Sequence, residues 1–156
     1  AKLTIANPQQ AKSISPKLIT YESMGIDAAT LSDLLVQEYF ENYKIVSALS
    51  QKYGFKYFFF LPPEITLGNK PLTSEEQEMK RSAEGEAGLH KLSTAVYRAM
   101  EREAPKYQNF YSMVHIFDSY DSLMFIDSGH VTPVGNQLIA ERMLGVMQAR
   151  SIAAVE

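Results

Sequence analysis

Between two stretches of helical periodicity the chain carries Phe55-Lys56-Tyr57-Phe58-Phe59-Phe60-Leu61, closed by Pro62-Pro63. A half-exposed strand would alternate polar and apolar residues, and a buried helix would need to be longer, so this aromatic run predicts a buried parallel strand. Such a strand has both faces covered, which requires helices packed against the sheet. The preceding segment supplies one. From Asp27 to Tyr53 the residues Leu31, Leu35, Tyr39, Tyr43, Val46, Leu49 and Tyr53 recur at steps of three or four, predicting an amphipathic helix capped by Asp27 and stopped at Gly54.

Downstream, Gly68-Asn69-Lys70-Pro71 reads as a loop, and Thr73-Ser74-Glu75-Glu76 has the T-x-x-E spacing of a capping box. Met79, Ala83, Ala87, Leu92, Val96 and Met100 continue a second helix, which Gly85 and Gly88 could divide and Pro105 ends. Asn109 to Phe117 and Leu123 to Ile126 are strand candidates separated by a turn, Asp118 to Ser122. Thr132 followed by Pro133 predicts the start of a last helix through Val134, Leu138, Ile139, Met143, Val146 and Met147. Helix, strand, helix, strand, helix is the order of an α/β layered domain with a short parallel sheet. Two or three strands are few for such a sheet. The remainder is expected from the N-terminal arm, a partner chain, or sequence beyond this one. Residues 1–26, rich in Asn, Pro, Gln and Ser, read as an irregular arm, residues 27–150 as the folded body and residues 151–156 as a tail.

The charge balance narrows the partners. Fifteen Lys plus Arg against 18 Asp plus Glu gives −3, which offers no basic surface for nucleic-acid phosphates. Without cysteine there is no thiolate nucleophile and no disulfide framework, and the redox compartment stays open. No run approaches the roughly 18 apolar residues of a membrane helix. The start at Ala1 has no apolar core segment and is expected to be a processing point or a truncation, so any signal peptide would lie upstream; a secreted or periplasmic parent fits.

Asp127 and His130 stand three apart, after the strand candidate Phe125-Ile126 and before a capped helix. Sites in open α/β sheets form at the carboxyl ends of strands. A histidine acting as general base must be held in one tautomer, and a carboxylate on its far nitrogen does this while stabilising the imidazolium. Alone, D-x-x-H is as readily a solvated turn. The whole stretch Phe125-Ile126-Asp127-x-x-His130-x-Thr132-Pro133-x-Gly135-Asn136, with Ile139-Ala140 following, is similar to the last block of SGNH (GDSL-type) hydrolases. Tyr43 to Gly54, the strand ending Leu61-Pro62-Pro63 and Lys70-Pro71-Leu72-Thr73-x-x-Glu76 resemble, more loosely, the elements before that block; Leu61 stands where the family often has glutamine. The resemblance implies a flavodoxin-like three-layer α/β/α fold and a cofactor-free serine esterase acting on a small-molecule, carbohydrate or lipid ester. In it His130 would be the general base and Asp127 would orient it.

The chain departs from that family in its nucleophile. Its Asp-Ser pairs, at 118–119, 121–122 and 127–128, lack a preceding glycine and lie at the wrong end, and no G-x-N-D block occurs. Asn7 has the residue type but not the motif of an oxyanion donor. Ser128 sits between Asp127 and His130, where adjacent residues on one turn rarely align for attack, and reads as a small turn residue. The chain is therefore expected to be the C-terminal part of an esterase, inactive by itself and completed by an N-terminal half. The alternative is a non-catalytic α/β binding or interaction module whose open sheet edge serves for partner pairing, as in a homodimer. His90 reads as an exposed or interfacial helix residue and His115 as a sheet-face or core residue. No close-spaced ligand pair supports a metal site built from the three histidines. The aromatics from Tyr39 to Phe60 read as core or, alternatively, a lipid groove, and Glu75-Glu76-x-Glu78 and Glu101-x-Glu103 as solvated helix faces.

Overall fold

The structure, a computed structural model, describes residues 20–152; most of the expected arm lies outside it. Helix α1 spans Ala28–Tyr53. Asp27 caps it as expected, its Oδ1 accepting from the backbone N–H of Ala29 and Thr30 at 2.9 Å each. Gly54 ends it in the left-handed region at φ 72°, where a Cβ would be strained, and its N–H donates to the Ser50 carbonyl at 2.8 Å. The buried face differs from the expected stripe. It comprises Ala28, Ser32, Val36, Phe40 and Tyr43, while Leu35, Leu49 and Tyr53 are exposed. Helix α1 thus has two apolar stripes, and the aromatic one wins: the Phe40 ring stacks on Tyr107 with centroids 4.0 Å apart.

Strand β1 is Phe59–Leu61 and strand β2 is Phe110–Ser112, paired in parallel with Phe59 opposite Phe110 and Leu61 opposite Ser112. The expected strand over 55–61 is therefore confined to its last three residues, because only they find a partner; Phe55 is exposed. Likewise the expected strand from Asn109 to Phe117 ends at Ser112. Successive turns follow, with Ile116, Asp118 and Tyr120 each donating to the carbonyl three residues back. Leu123 to Ile126 joins no ladder and makes a single antiparallel bridge, Phe125 to Val131.

Thr73 and Glu76 form the expected capping box at the start of α2, Ser74–Gly85. A break at Glu86 separates it from α3, Ala87–Glu103, in the glycine-weakened stretch the sequence marks. A 3-10 turn, Ala104–Lys106, then carries Pro105. Helix α4, Pro133–Ile152, extends two residues into the expected tail. Thr132 opens it, its Oγ1 accepting from the Gly135 N–H at 3.1 Å.

Two apolar clusters hold these elements. The first joins α1, α3 and the sheet through Val36, Phe40, Tyr43, Leu61, Met100 and Phe110. The second, Ile65, Phe117, Met124 and Phe125, lies against Leu138 and Ile139 of α4. Strand alternation puts Phe58, Phe60 and Tyr111 on the opposite face from the first cluster. There Phe60 and Tyr111 stack at 5.6 Å, and Arg150 of α4 donates to the Tyr111 hydroxyl at 2.9 Å. Among the described residues the molecule is a mixed α/β structure with a two-stranded parallel sheet, and no helix is long and apolar enough to cross a membrane.

Candidate active site

Asp127 and His130 occupy the tip of a loop whose two arms are tied together. The Ile126 N–H donates to the His130 carbonyl, and the Thr132 N–H donates to the Met124 carbonyl, both at 2.8 Å. At the tip, Asp127 Oδ1 accepts from the backbone N–H groups of Gly129 at 2.9 Å and His130 at 2.8 Å, an Asx-type turn in which the side chain replaces a backbone acceptor. The same carboxylate meets His130 Nδ1, with Oδ2 at 2.8 Å.

This arrangement sets the tautomer. The Gly129 and His130 amides, then the His130 ring, bring the Asp127 carboxyl down to about 2. An ionised carboxylate only accepts hydrogen bonds, so the proton lies on Nδ1, and in the neutral imidazole it is Nε2 that carries the lone pair. No described residue bonds that second nitrogen, and the side chain is 84% exposed.

The loop stands on a close-packed base. A Cβ at Gly135 would lie 3.0 Å from Val131 Cβ, 3.1 Å from the Met124 carbonyl oxygen and 3.3 Å from Phe117 Cζ, so only glycine lets α4 approach this closely. This accounts physically for the glycine of the Thr132-Pro133-x-Gly135 start. From the other side, the Ile65 N–H donates to the Ser128 carbonyl at 3.0 Å, tying the loop to the segment after β1. An open cleft of about 490 Å³ results, lined by Pro62, Pro63, Ile126, His130, Asn136 and Ile139. The cleft walls combine apolar side chains with the His130 imidazole, the Asn136 amide and the Asp127 carboxylate. A larger groove lies along α2 beside Ser128 and includes Met79, Ser82 and Ala83.

Glu76 is one of the residues that sequence reasoning placed wrongly. It is fully buried at 0% exposure, not on a solvated helix face. Its Oε2 accepts from Lys70 Nζ at 2.6 Å and the Thr73 N–H at 3.0 Å, and its Oε1 accepts from the N–H groups of Met124 at 2.8 Å and Phe125 at 3.1 Å. Burial pushes its carboxyl up, but these four donors together hold it below the usual carboxylate range. The T-x-x-E spacing announced the bond to Thr73 only; the reach to Met124, 48 residues on, has no local signal.

The other histidines are held apart from this loop. His115 lies in the turn after β2, half-exposed at 52%, and not on the sheet or in the core as expected. Its Nδ1 meets Asp118 Oδ2 at 2.8 Å, and its Nε2 faces Glu101 Oε1 at 3.9 Å. Glu101 also accepts from the Ser112 hydroxyl at 2.9 Å. His90, on α3, has its Nδ1 buried without a hydrogen-bond partner. Among the described residues, no three His, Asp or Glu side chains are grouped as metal ligands, and the Ser128 hydroxyl makes no bond to His130. Asn7 lies outside the described residues. Neither the protein-family models, nor the curated proteins, nor the solved structures yield a match to this chain.

Proposed function

We propose that this chain is the C-terminal part of a serine ester hydrolase of the SGNH type, supplying the general base His130 and its orienting carboxylate Asp127. The observation that carries the reading is the His130 ring itself: Nδ1 is bound to Asp127 at 2.8 Å, and Nε2 has no hydrogen-bond partner among the described residues. That is the arrangement a serine hydroxyl requires of its base. The loop follows the carboxyl end of the parallel sheet, and the adjoining cleft, whose apolar side chains stand beside the Asp127 carboxylate and no cationic side chain, suits an acyl or other ester group better than a multiply anionic one. With α1 and α3 against one sheet face and Arg150 of α4 bonded over the other, the elements fit part of a flavodoxin-like three-layer domain. The remaining strands, the nucleophile and the oxyanion donors belong, in this reading, to an N-terminal half.

Hydrolysis of p-nitrophenyl acetate tests it, measured on this chain and on a longer protein that includes upstream coding sequence. The longer protein is expected to be active and this chain inert. His130→Ala in the longer protein is expected to lower kcat by roughly 100- to 10,000-fold, the span attributable to a general base. Labelling of this chain alone by a serine-directed phosphonate would contradict the placement of the nucleophile elsewhere.

A second reading, an interaction module that pairs with another copy, is favoured by the outer stripe of α1, where Leu34, Ile45, Leu49 and Tyr53 are exposed. An inert longer protein together with a dimeric sedimentation coefficient for this chain would favour it over the hydrolase.

A further inference from the structure

We propose that Glu76 is the positioning residue of the Asp127–His130 pair, holding the loop that carries both through the backbone amides of Met124 and Phe125. The proposal rests on the hydrolase reading for the purpose of the pair, while the coupling it asserts can be measured without any substrate.

The two carboxylate oxygens of Glu76 have separate tasks. Oε2 accepts from Thr73, which completes the helix cap, and from Lys70, which balances the charge. Helix α2 makes no use of Oε1. That oxygen serves only the Met124 and Phe125 amides, 48 and 49 residues away. Met124 and Phe125 are themselves buried, so without Glu76 both N–H groups would lose their acceptor where water does not reach. From them the restraint passes to the tip in two short steps. The Met124 carbonyl accepts from Thr132, and Ile126, next to Phe125, donates to His130. The Asp127 side chain then has its two amide donors, Gly129 and His130, presented in one orientation. A carboxylate suits this role because a single oxygen can accept both neighbouring amides at charge-assisted strength. Lys70 makes the burial tolerable, its Nζ donating to Glu76 and to the Pro71 carbonyl at 2.9 Å.

Two double variants separate positioning from mere stability. Glu76→Gln with Lys70→Met removes both charges but keeps an amide oxygen where Oε1 stands; Glu76→Leu with Lys70→Met removes the acceptor as well. Amide hydrogen exchange and the 15N shifts of the His130 ring are read by NMR. The Gln variant is expected to retain slow exchange at Met124 and Phe125 and the Nδ1–H tautomer of His130. The Leu variant is expected to exchange faster by roughly tenfold or more at Met124, Phe125, Gly129 and His130, with the ring averaging between tautomers. A folded Leu variant with unchanged exchange at Gly129 and His130 overturns the proposal. Should the Leu variant not fold, the unmodified chain decides: in sub-denaturing urea the amides of Met124, Phe125, Gly129 and His130 must open with one common urea dependence, and unequal dependences overturn the coupling. Because no readout is ester turnover, the proposal can fail while the hydrolase reading stands, and an inert longer protein would leave the measured coupling intact.

Discussion

Among the described residues are two histidine–aspartate pairs that share one ring contact, and they differ in what surrounds them. In each, a ring Nδ1 lies 2.8 Å from a carboxylate oxygen three residues away. At the first pair, Asp127 is held by amides of its own turn, and the His130 ring borders a cleft with no described partner on Nε2. At the second, Asp118 is held from a distant loop: the Asn69 N–H donates to Oδ1 at 2.8 Å and the Asn69 side chain to Oδ2 at 3.2 Å. There Nε2 of His115 faces the Glu101 carboxylate. The second pair therefore clasps the loop at residues 68–69 to the turn after β2, whereas the first leaves one nitrogen without a partner among the described residues. A histidine–carboxylate contact does not by itself make a base; the environment of the second nitrogen decides.

The contrast can be broken or sharpened in several ways. The largest difference is expected in catalysis. In the longer protein, His130→Ala should cost roughly 100- to 10,000-fold in kcat, and His115→Ala should leave kcat within about twofold. Equal losses would erase the distinction. Next comes the support of the first loop. Glu76→Leu with Lys70 left in place strands a buried ammonium group, and urea unfolding should report a loss of about 3–5 kcal/mol. Gly135→Ala, which drives a methyl against Val131, Met124 and Phe117, should cost about 1–3 kcal/mol and loosen the His130 loop. At the clasp, Asn69→Ala should cost only about 1 kcal/mol, with no change in the His130 ring signals.

The smallest effect concerns acid. Asp127 titrates near 2 when folded, below the ordinary range of about 4, so its contribution is present above that range and is lost as pH falls towards 2. Asp127→Asn should flatten that part of the pH–stability profile slightly, because the group is exposed to solvent. Thermal melts at stepped pH would check this. The same sign applies to Asp118, where burial opposes the shift but the Asn69 amides and His115 hold the carboxyl low.

Features encoded within a few residues were legible. Asp27, Gly54, the Thr73–Glu76 box, the weakened stretch around Gly85 and the Thr132-Pro133 start all mark true helix boundaries, because each satisfies or removes terminal backbone groups locally. The Asp127–His130 contact was legible for the same reason, since an Asx turn brings residues three apart together. Strand lengths were not. Phe55 to Phe58 has the composition of a strand but finds no neighbour in register, and Leu123 to Ile126, with Met124 and Phe125 buried and its two ends exposed, makes a single bridge instead of a ladder.

By itself, then, the sequence determined the order of elements, their caps and the turn that joins Asp127 to His130, all properties of short-range hydrogen bonding and periodicity. Tertiary structure decided three things. It chose which of two apolar stripes α1 buries, because Phe40 and Tyr43 meet Tyr107 and Phe110 only after folding. It turned His115 into a clasp by bringing Asn69 to Asp118. And it carried Glu76 from a helix cap to the base of the candidate active-site loop, since two buried amides 48 and 49 residues away needed an acceptor that their own segment does not contain.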